Sequence, residues 1–421
     1  MKLNRIALAV ALAGISFGAH ATNGYFSHGY GMKAKGMAGV STTNTEDAFF
    51  GANNPAAAAF AGNRADLGAD LFSPIREASN TGFFAGPSSE SDSNYFIVPE
   101  FGYNRVINDK LALGVTVYGN GGMNTNYGKD FFGGTTNILG GTTRLGVDLM
   151  QLIVAPTAAY KVAPNHSLGI SPLIGYQRFE AKGLQGFAPI SASPANLTNN
   201  GYDDAFGYGV RVGYMGKVSP TVTIGAAYAS KMNFDEFSKY RGLFAEQGDF
   251  DIPENYNVGV SWQATPAVRL ALDYQRINYS DVNSVGNPAD NVFTVPLGGG
   301  MMGNNLGSGF GWSDVDVWKL GVEYKYSQSL TLRAGYSHND NPIDGNDPVE
   351  ATFNILAPAV NENHVSLGFT YTLASGNELT MAYTHAFHND VSGARPVGFG
   401  GGTDKIEMYQ NSLGIQYSWK L

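Results

Sequence analysis

Leu413-Gly414-Ile415-Gln416-Tyr417-Ser418-Trp419-Lys420-Leu421 runs to the last residue of the chain, and its reading decides the fold. Large apolar residues take every second place. Gly, Gln, Ser and Lys sit between them. Successive side chains of a strand point to opposite faces, so this is a strand with one greasy and one polar side. Two folds accept such a strand. One is a soluble antiparallel sandwich. The other is a closed barrel in a lipid bilayer, where every backbone group must find its partner within the wall.

The other end of the chain favours the barrel. Lys2 and Arg5 precede an uncharged apolar stretch from Ile6 to Phe17, and Ala19-His20-Ala21 is a small-x-small cleavage signature. Residues 1–21 therefore read as a secretory signal peptide, with Thr22 as the first mature residue. No other stretch approaches the roughly 18 apolar residues of a membrane helix. The mean hydropathy of −0.14 would suggest a soluble chain, but alternation cancels in any window average. Cysteine is absent, which excludes a disulfide framework, a thiolate metal site and a cysteine nucleophile. Loss of Lys2 and Arg5 with the leader takes the formal charge from −9 to −11, a poor balance for nucleic acid. The 55 Gly suit tight turns and a crowded lumen, and the 23 Tyr and 25 Phe suit aromatic girdles at both membrane interfaces.

The same alternation recurs in fourteen segments: 65–73, 94–106, 110–119, 148–162, 165–179, 205–217, 220–230, 254–263, 266–279, 314–326, 329–337, 363–373, 377–388 and 407–421. Tyr256, Val258, Val260 and Trp262 show it plainly, as do Val365, Leu367, Phe369 and Tyr371. The connections alternate between short and long. Short ones hold turn formers, such as Ala163-Pro164-Asn165 and Ser327-Gln328-Ser329. Long ones run over 74–93, 120–147, 180–204, 231–253, 280–313, 338–362 and 389–406. Short turns on one side and long loops on the other are the pattern of an even-stranded outer-membrane barrel. Residues 22–64 precede the first strand. They are rich in Gly, Ala and Asn and poor in charge, which suits a plug threaded into the lumen, with a short helix near Thr45 to Phe50.

Several of these residues resemble a known family, the FadL/TodX outer-membrane transporters of long-chain fatty acids and other hydrophobic compounds. The resemblance lies in Asn23-Gly24-Tyr25-Phe26, Gly29-Tyr30-Gly31, Lys35-Gly36-Met37-Ala38-Gly39 and Asn54-Pro55-Ala56. It continues in Ile252-Pro253-Glu254-Asn255-Tyr256-Asn257-Val258-Gly259, in Leu332-Arg333-Ala334-Gly335-Tyr336 with Asn341-Pro342, and in Ala382-Tyr383-Thr384-His385. It covers essentially the whole mature chain. It implies a fourteen-stranded barrel (65–421) plugged by an N-terminal hatch (22–64), in the outer membrane of a Gram-negative bacterium. It also implies capture of ligand by outer loops, an interior pocket touching the hatch, and sideways exit through a gap in the wall. Two departures stand out. The last residue is Leu421, where such barrels usually end in an aromatic, and the loops are rich in Gly and Asn.

The residues suggest where each step falls. Burying a CH2 group is worth about 0.8 kcal/mol, so apolar loop residues can extract a hydrophobic ligand. Leu184, Phe187, Ile190 and Leu197 lie in one loop. Phe293, Val295, Leu297, Met301 and Met302 lie in another, and Phe353, Ile355 and Leu356 in a third. Phe187, Phe293, Met301 and Met302 are the capture candidates. Packing of loop against loop explains any single one equally well. A ligand carboxylate would need a cation in the lumen. Parity turns Arg211, Arg269, Lys319, Lys325 and Arg333 inward, together with Glu100, Asp273 and Glu323, and buried opposite charges tend to pair. Arg211, Lys319 and Arg333 are the candidates for ligand contact. The third strand ends in Tyr118-Gly119-Asn120-Gly121-Gly122. Glycine within a strand marks a bulge or kink, so Gly119, Gly121 and Gly122 are the expected lateral opening, unless they merely begin a flexible loop. Thr22, Asn23, Gly24, Tyr25 and Phe26 are the expected gate, and Asn54-Pro55-Ala56 the fixed turn anchoring it.

Catalytic and cofactor readings fail. The seven histidines are scattered, and His385 and His388 fall on opposite faces of a strand. Gly298-Gly299-Gly300 lacks the partners of a phosphate loop, and Asn339-Asp340 to Asp347 lacks calcium-loop spacing. No metal or cofactor is expected. The expected function is passive uptake of fatty acids or other hydrophobic small molecules by a monomer set in outer-membrane lipid and lipopolysaccharide. A general hydrophilic porin and a structural or adhesive barrel are the alternatives.

Overall fold

A computed structural model describes residues 23–82, 86–128, 131, 144–347 and 349–421. The leader expectation (1–21) and Thr22 lie outside the described residues. Fourteen strands form one closed antiparallel barrel. They are β1 (Arg64–Asn80), β2 (Phe96–Val106), β3 (Leu111–Asn124), β4 (Gly146–Ala163), β5 (His166–Lys182), β6 (Asp203–Lys217) and β7 (Val222–Ala229). Then follow β8 (Asn255–Gln263), β9 (Val268–Ile277), β10 (Val315–Lys325), β11 (Leu330–Asn339), β12 (Asn363–Thr372), β13 (Glu378–Ala394) and β14 (Thr403–Lys420). Each pairs with the next, and β14 closes on β1 from Arg64↔Lys420 to Asn80↔Asp404. Two short strands, Gly86–Glu90 and Asn233–Phe234, add to the outer ends of β1 and β6. Short turns and long loops fall on opposite ends, as the spacing predicts.

The alternation has the expected physical sense. Leu71, Ile97, Leu168, Leu320, Leu367 and Leu413 are exposed on the outer face, where a bilayer would cover them. Trp262, Tyr324, Tyr371 and Trp419 ring the short-turn end, and Phe206, Tyr228, Trp318 and Tyr336 the long-loop end. Several strands are longer than the apolar pattern implies, β3 among them. β1 continues to Asn80, β13 to Ala394, and β14 begins at Thr403. The outward residues there include Glu77, Ser79, Lys405 and Glu407. Apolar alternation marks the bilayer thickness, whereas the hydrogen-bond ladder continues above it.

Residues 31–60 meet inward-facing side chains around the whole ring. Gly31 and Met32 donate backbone N–H to Glu100 (3.0 Å) and Gln416 (2.9 Å). Ser41 and Thr42 donate to Asp273 at 2.7 and 2.8 Å. Ala48 donates to Asp66, and Thr116 and Ser167 donate to the carbonyls of Ala48 and Ala56. Inward glycines admit this close approach. A Cβ at Gly102 would lie 2.5 Å from the Ala48 oxygen, and one at Gly225 would lie 2.6 Å from the Thr42 oxygen. The expected helix at Thr45 to Phe50 is corrected. Helix occurs instead at α1 (Met32–Lys35), with a 3-10 turn at Pro55–Ala59. Asn44 accepts from Glu46 N–H, and Asp47 accepts from Phe49 N–H and Asn44 Nδ2. These side chains take over the backbone donors that a helix would need.

Candidate functional site: a kinked wall strand and the segment it holds

β2 and β3 part company halfway. Their ladder ends at Phe101↔Val117, although β3 continues to Asn124. On its other side β3 stays paired with β4, with a register shift between Gly119 and Gly121. The edge left free by β2 takes residues 23–27 instead. Ser27 N–H donates to the Asn120 carbonyl at 3.1 Å, Gly122 N–H donates to the Tyr25 carbonyl at 3.1 Å, and Phe26 bridges Gly121. A Cβ on Gly121 would collide with the Tyr25 carbonyl, so glycine is required there. Gly119, Gly121 and Gly122 thus lie past the last rung to β2; Gly121 and Gly122 meet Tyr25 and Phe26 directly, and Gly119 faces Val98.

Asn23 and Phe26 pair across a tight turn in which Gly24 has φ +68°. Tyr279 fastens it: its hydroxyl donates to the Asn23 carbonyl and accepts from Tyr25 N–H at 3.1 Å. Tyr25 packs on Phe250 (5.9 Å), Tyr279 (5.2 Å) and Trp312 (6.0 Å). Beside this cluster, Phe72, Gly122, Met123, Trp312, Leu356 and Met408 line an apolar cavity. Its free volume is about 20 Å³, room for about one water. A ligand enters only by displacing something. Sequence reasoning missed Tyr279 and Trp312. One signal was available: Trp312 is the one tryptophan of four outside the strand alternation.

A second, polar cavity lies between residues 26–53 and the wall. It gathers Arg211 and Lys319 with Ser27, Tyr30, Asn257 and Asp273. Lys319 Nζ donates to Gln275 at 2.8 Å and to the His28 carbonyl at 3.5 Å. Arg211 is buried, and its Nε has no partner among the described residues. Arg333 sits elsewhere. It holds Glu323 (2.7 Å), Glu46 (2.9 Å) and Thr370 (2.6 Å), so its donors are taken. Arg269 joins the same group at Glu323, 3.2 Å. Burial alone would raise the Glu46 carboxyl, but Arg269, then Arg333 and Lys33, hold it well below the usual carboxylate range. Lys33–Glu378 and Lys35–Asp70, both 2.6 Å, complete the ion pairs between residues 31–60 and the wall. Lys325 lies exposed at the short-turn end.

The four loop candidates divide. Phe187 is buried against Phe353 (5.4 Å) and Phe399 (4.9 Å), and Met302 is buried with its N–H donated to the Ile190 carbonyl. Both pack loop on loop. Met301 is half-buried, and Phe293 is exposed. Asn54 caps the Pro55–Ala59 turn through Ala56 N–H and donates to the carbonyls of Thr42 and Tyr214. Asn54-Pro55-Ala56 is thereby tied to the wall. Burial pushes the Glu350 carboxyl, in the loop beside Trp312, up to about 8.

A closed fourteen-stranded barrel with a broken rung and an internal segment defines a class, the outer-membrane transport barrel. A profile described as outer membrane protein transport protein (OMPP1/FadL/TodX) matches residues 13–397, and the chain belongs to that family. Among solved structures, the chain is similar to a Pseudomonas aeruginosa FadL homologue at 16% identity and TM-score 0.71, covering 94% of this chain and 99% of that one. The Pseudomonas putida toluene transporter TodX gives 19% identity and TM-score 0.68, with 94% and 99% covered. The Ralstonia pickettii toluene transporter TbuX gives 18% and 0.61, with 93% and 98% covered. A search of curated protein sequences returns no match.

Proposed function

We propose that the barrel takes up hydrophobic small molecules across the outer membrane and releases them sideways. Residues 22–64 act as its hatch, behind a cleaved leader of residues 1–21. Exposed loop residues, Phe293 foremost, capture the molecule. It then enters the apolar cavity beside Trp312, residues 23–27 withdraw from β3, and the molecule leaves through the opening at Gly119, Gly121 and Gly122. Arg211 and Lys319 receive a carboxylate if the molecule carries one. Arg333 serves as an anchor of the hatch.

The observation that carries this reading is the exchange of partners at β3. An exposed strand edge inside hydrocarbon is costly, and here a removable segment of the same chain satisfies it. A filled interior gives no reason to favour an open hydrophilic pore. Toluene transporters among the similar structures make aromatic hydrocarbons a second ligand class to try beside fatty acids. The barrel works as a monomer, with lipid and lipopolysaccharide as its surroundings. The test is uptake of labelled oleate and toluene by cells carrying or lacking the protein, with single-channel conductance in parallel. Uptake of at least one of the two without steady conductance is expected. Large steady conductance without hydrophobic uptake would make it a porin.

A further inference from the structure

The gap between β2 and β3 is a framed window. Its lower edge is the rung Phe101↔Val117. Its upper edge is the bridge between Ser91 and Tyr127, reinforced by Asp92 N–H on the Asn126 carbonyl at 2.9 Å. Residues 23–27 fill the lower part, at Asn120 to Gly122. At the rim Ser91 Oγ also accepts from Asn126 N–H and Arg144 joins Asp92 to Asn126, and below them Arg76 spans the upper part. Arg76 of β1 is buried and faces inward. One terminal nitrogen of its guanidinium donates to the Asn124 carbonyl, on the β3 side. The other donates to the Ser93 carbonyl, on the opposite side, and lies 3.4 Å from Asn94 Oδ1. Its Nε has no partner among the described residues. The planar fork of arginine suits this role, because it binds two acceptors at fixed spacing.

Arg76 also stands between two spaces. On the inside it borders the apolar cavity of Phe72, Met123 and Trp312. Ser93 and Asn124, the residues it joins, also line a polar cleft at the outer rim with Asp148 and Tyr202. We propose that Arg76 is a latch on the window. It holds the upper half shut independently of residues 23–27. It lets go when a ligand in the cavity offers an acceptor group that replaces the two backbone carbonyls. A buried guanidinium gives up one partner cheaply only when another is supplied. This rests on the sideways exit proposed above.

The test reads access from the bilayer to Trp312 without measuring transport. Trp262→Phe, Trp318→Phe and Trp419→Phe leave Trp312 as the only tryptophan of the full chain, which is then placed in vesicles of phospholipid with brominated acyl chains. Trp312 is expected to be protected from quenching in this parent. Protection should be lost in Arg76→Met, which fills the space but bridges nothing, and reduced in Arg76→Lys, whose single ammonium lacks the fixed two-donor fork. If Arg76→Met does not reach the folded barrel, Arg76→Gln, able to hold one carbonyl but not both, takes its place. Laurate should raise quenching in the parent, and dodecane should not. Unchanged protection in Arg76→Met, or equal responses to laurate and dodecane, would overturn the latch. Loss of uptake on locking residues 23–27 to β3 would still support the sideways exit, so the two ideas fail separately.

Discussion

The two ends of the internal segment are held by different physics. Residues 31–60 are tied to the wall by ion pairs, Lys33–Glu378, Lys35–Asp70 and Glu46–Arg333, and by backbone donors on Asp66, Glu100 and Asp273. Residues 23–27 rest on two backbone hydrogen bonds to β3, the Tyr279 hydroxyl and a cluster of aromatic rings. Breaking a buried pair strands a charge at a cost of about 3–5 kcal/mol, whereas an aromatic pair is worth about 0.5–1.5 kcal/mol beyond its burial. The difference supports the proposal that one end stays while the other leaves.

The largest expected effect comes from attacking the fixed end. Asp70→Asn removes the buried acid that pairs with Lys35 at 2.6 Å, and should destabilise the folded protein by about 3–5 kcal/mol. Denaturant titration followed by gel mobility measures it; a change near zero would mean that the pairs anchor nothing. Next is Gly121→Ala. The added methyl collides with the Tyr25 carbonyl, so residues 23–27 should lose their seat while the barrel remains folded. Hydrogen exchange should then show Tyr25 and Phe26 unprotected and residues 31–60 unchanged. Loss of protection in both regions would erase the distinction between them.

A smaller effect is expected from Tyr279→Phe, which deletes the donor to Asn23 and the acceptor for Tyr25 N–H. It should weaken the seating of residues 23–27 by about 1–3 kcal/mol, read as faster exchange there alone. The pH response is gentler still. Burial pushes the Glu350 carboxyl of the folded protein up to about 8, above its ordinary value. The folded state therefore holds the extra proton between these two values. The contribution is fully present at lower pH and is lost as pH rises towards and past about 8. Trp312 emission should shift over that range, and Glu350→Gln should remove the shift. An unchanged titration in Glu350→Gln would assign it to another group.

Much of this architecture was legible in the chain. Period-two alternation is imposed by the bilayer itself, so Leu413 to Leu421 and its counterparts declared themselves. The upper parts of β1, β13 and β14 did not, because outside hydrocarbon a strand has no need of greasy outward residues. Arg76 was hidden for that reason: it lies beyond residue 73, where the apolar pattern stops. Parity turned Arg211, Lys319 and Arg333 inward. It carries no information on partners distant in sequence, so it could not separate Arg333, engaged by Glu46 and Glu323, from the less committed Arg211. The expected helix at Thr45 to Phe50 gives way to side-chain turns at Asn44 and Asp47, whose local hydrogen bonds the apolar pattern does not report.

The central claim is that residues 23–27 must leave β3 before a captured molecule can exit. Ser27→Cys with Asn120→Cys places two thiols where Ser27 N–H now meets the Asn120 carbonyl, in a chain with no other cysteine. With the pair oxidised, binding of labelled oleate should persist and uptake should stop, returning on reduction. Undiminished uptake through the locked protein would contradict the account.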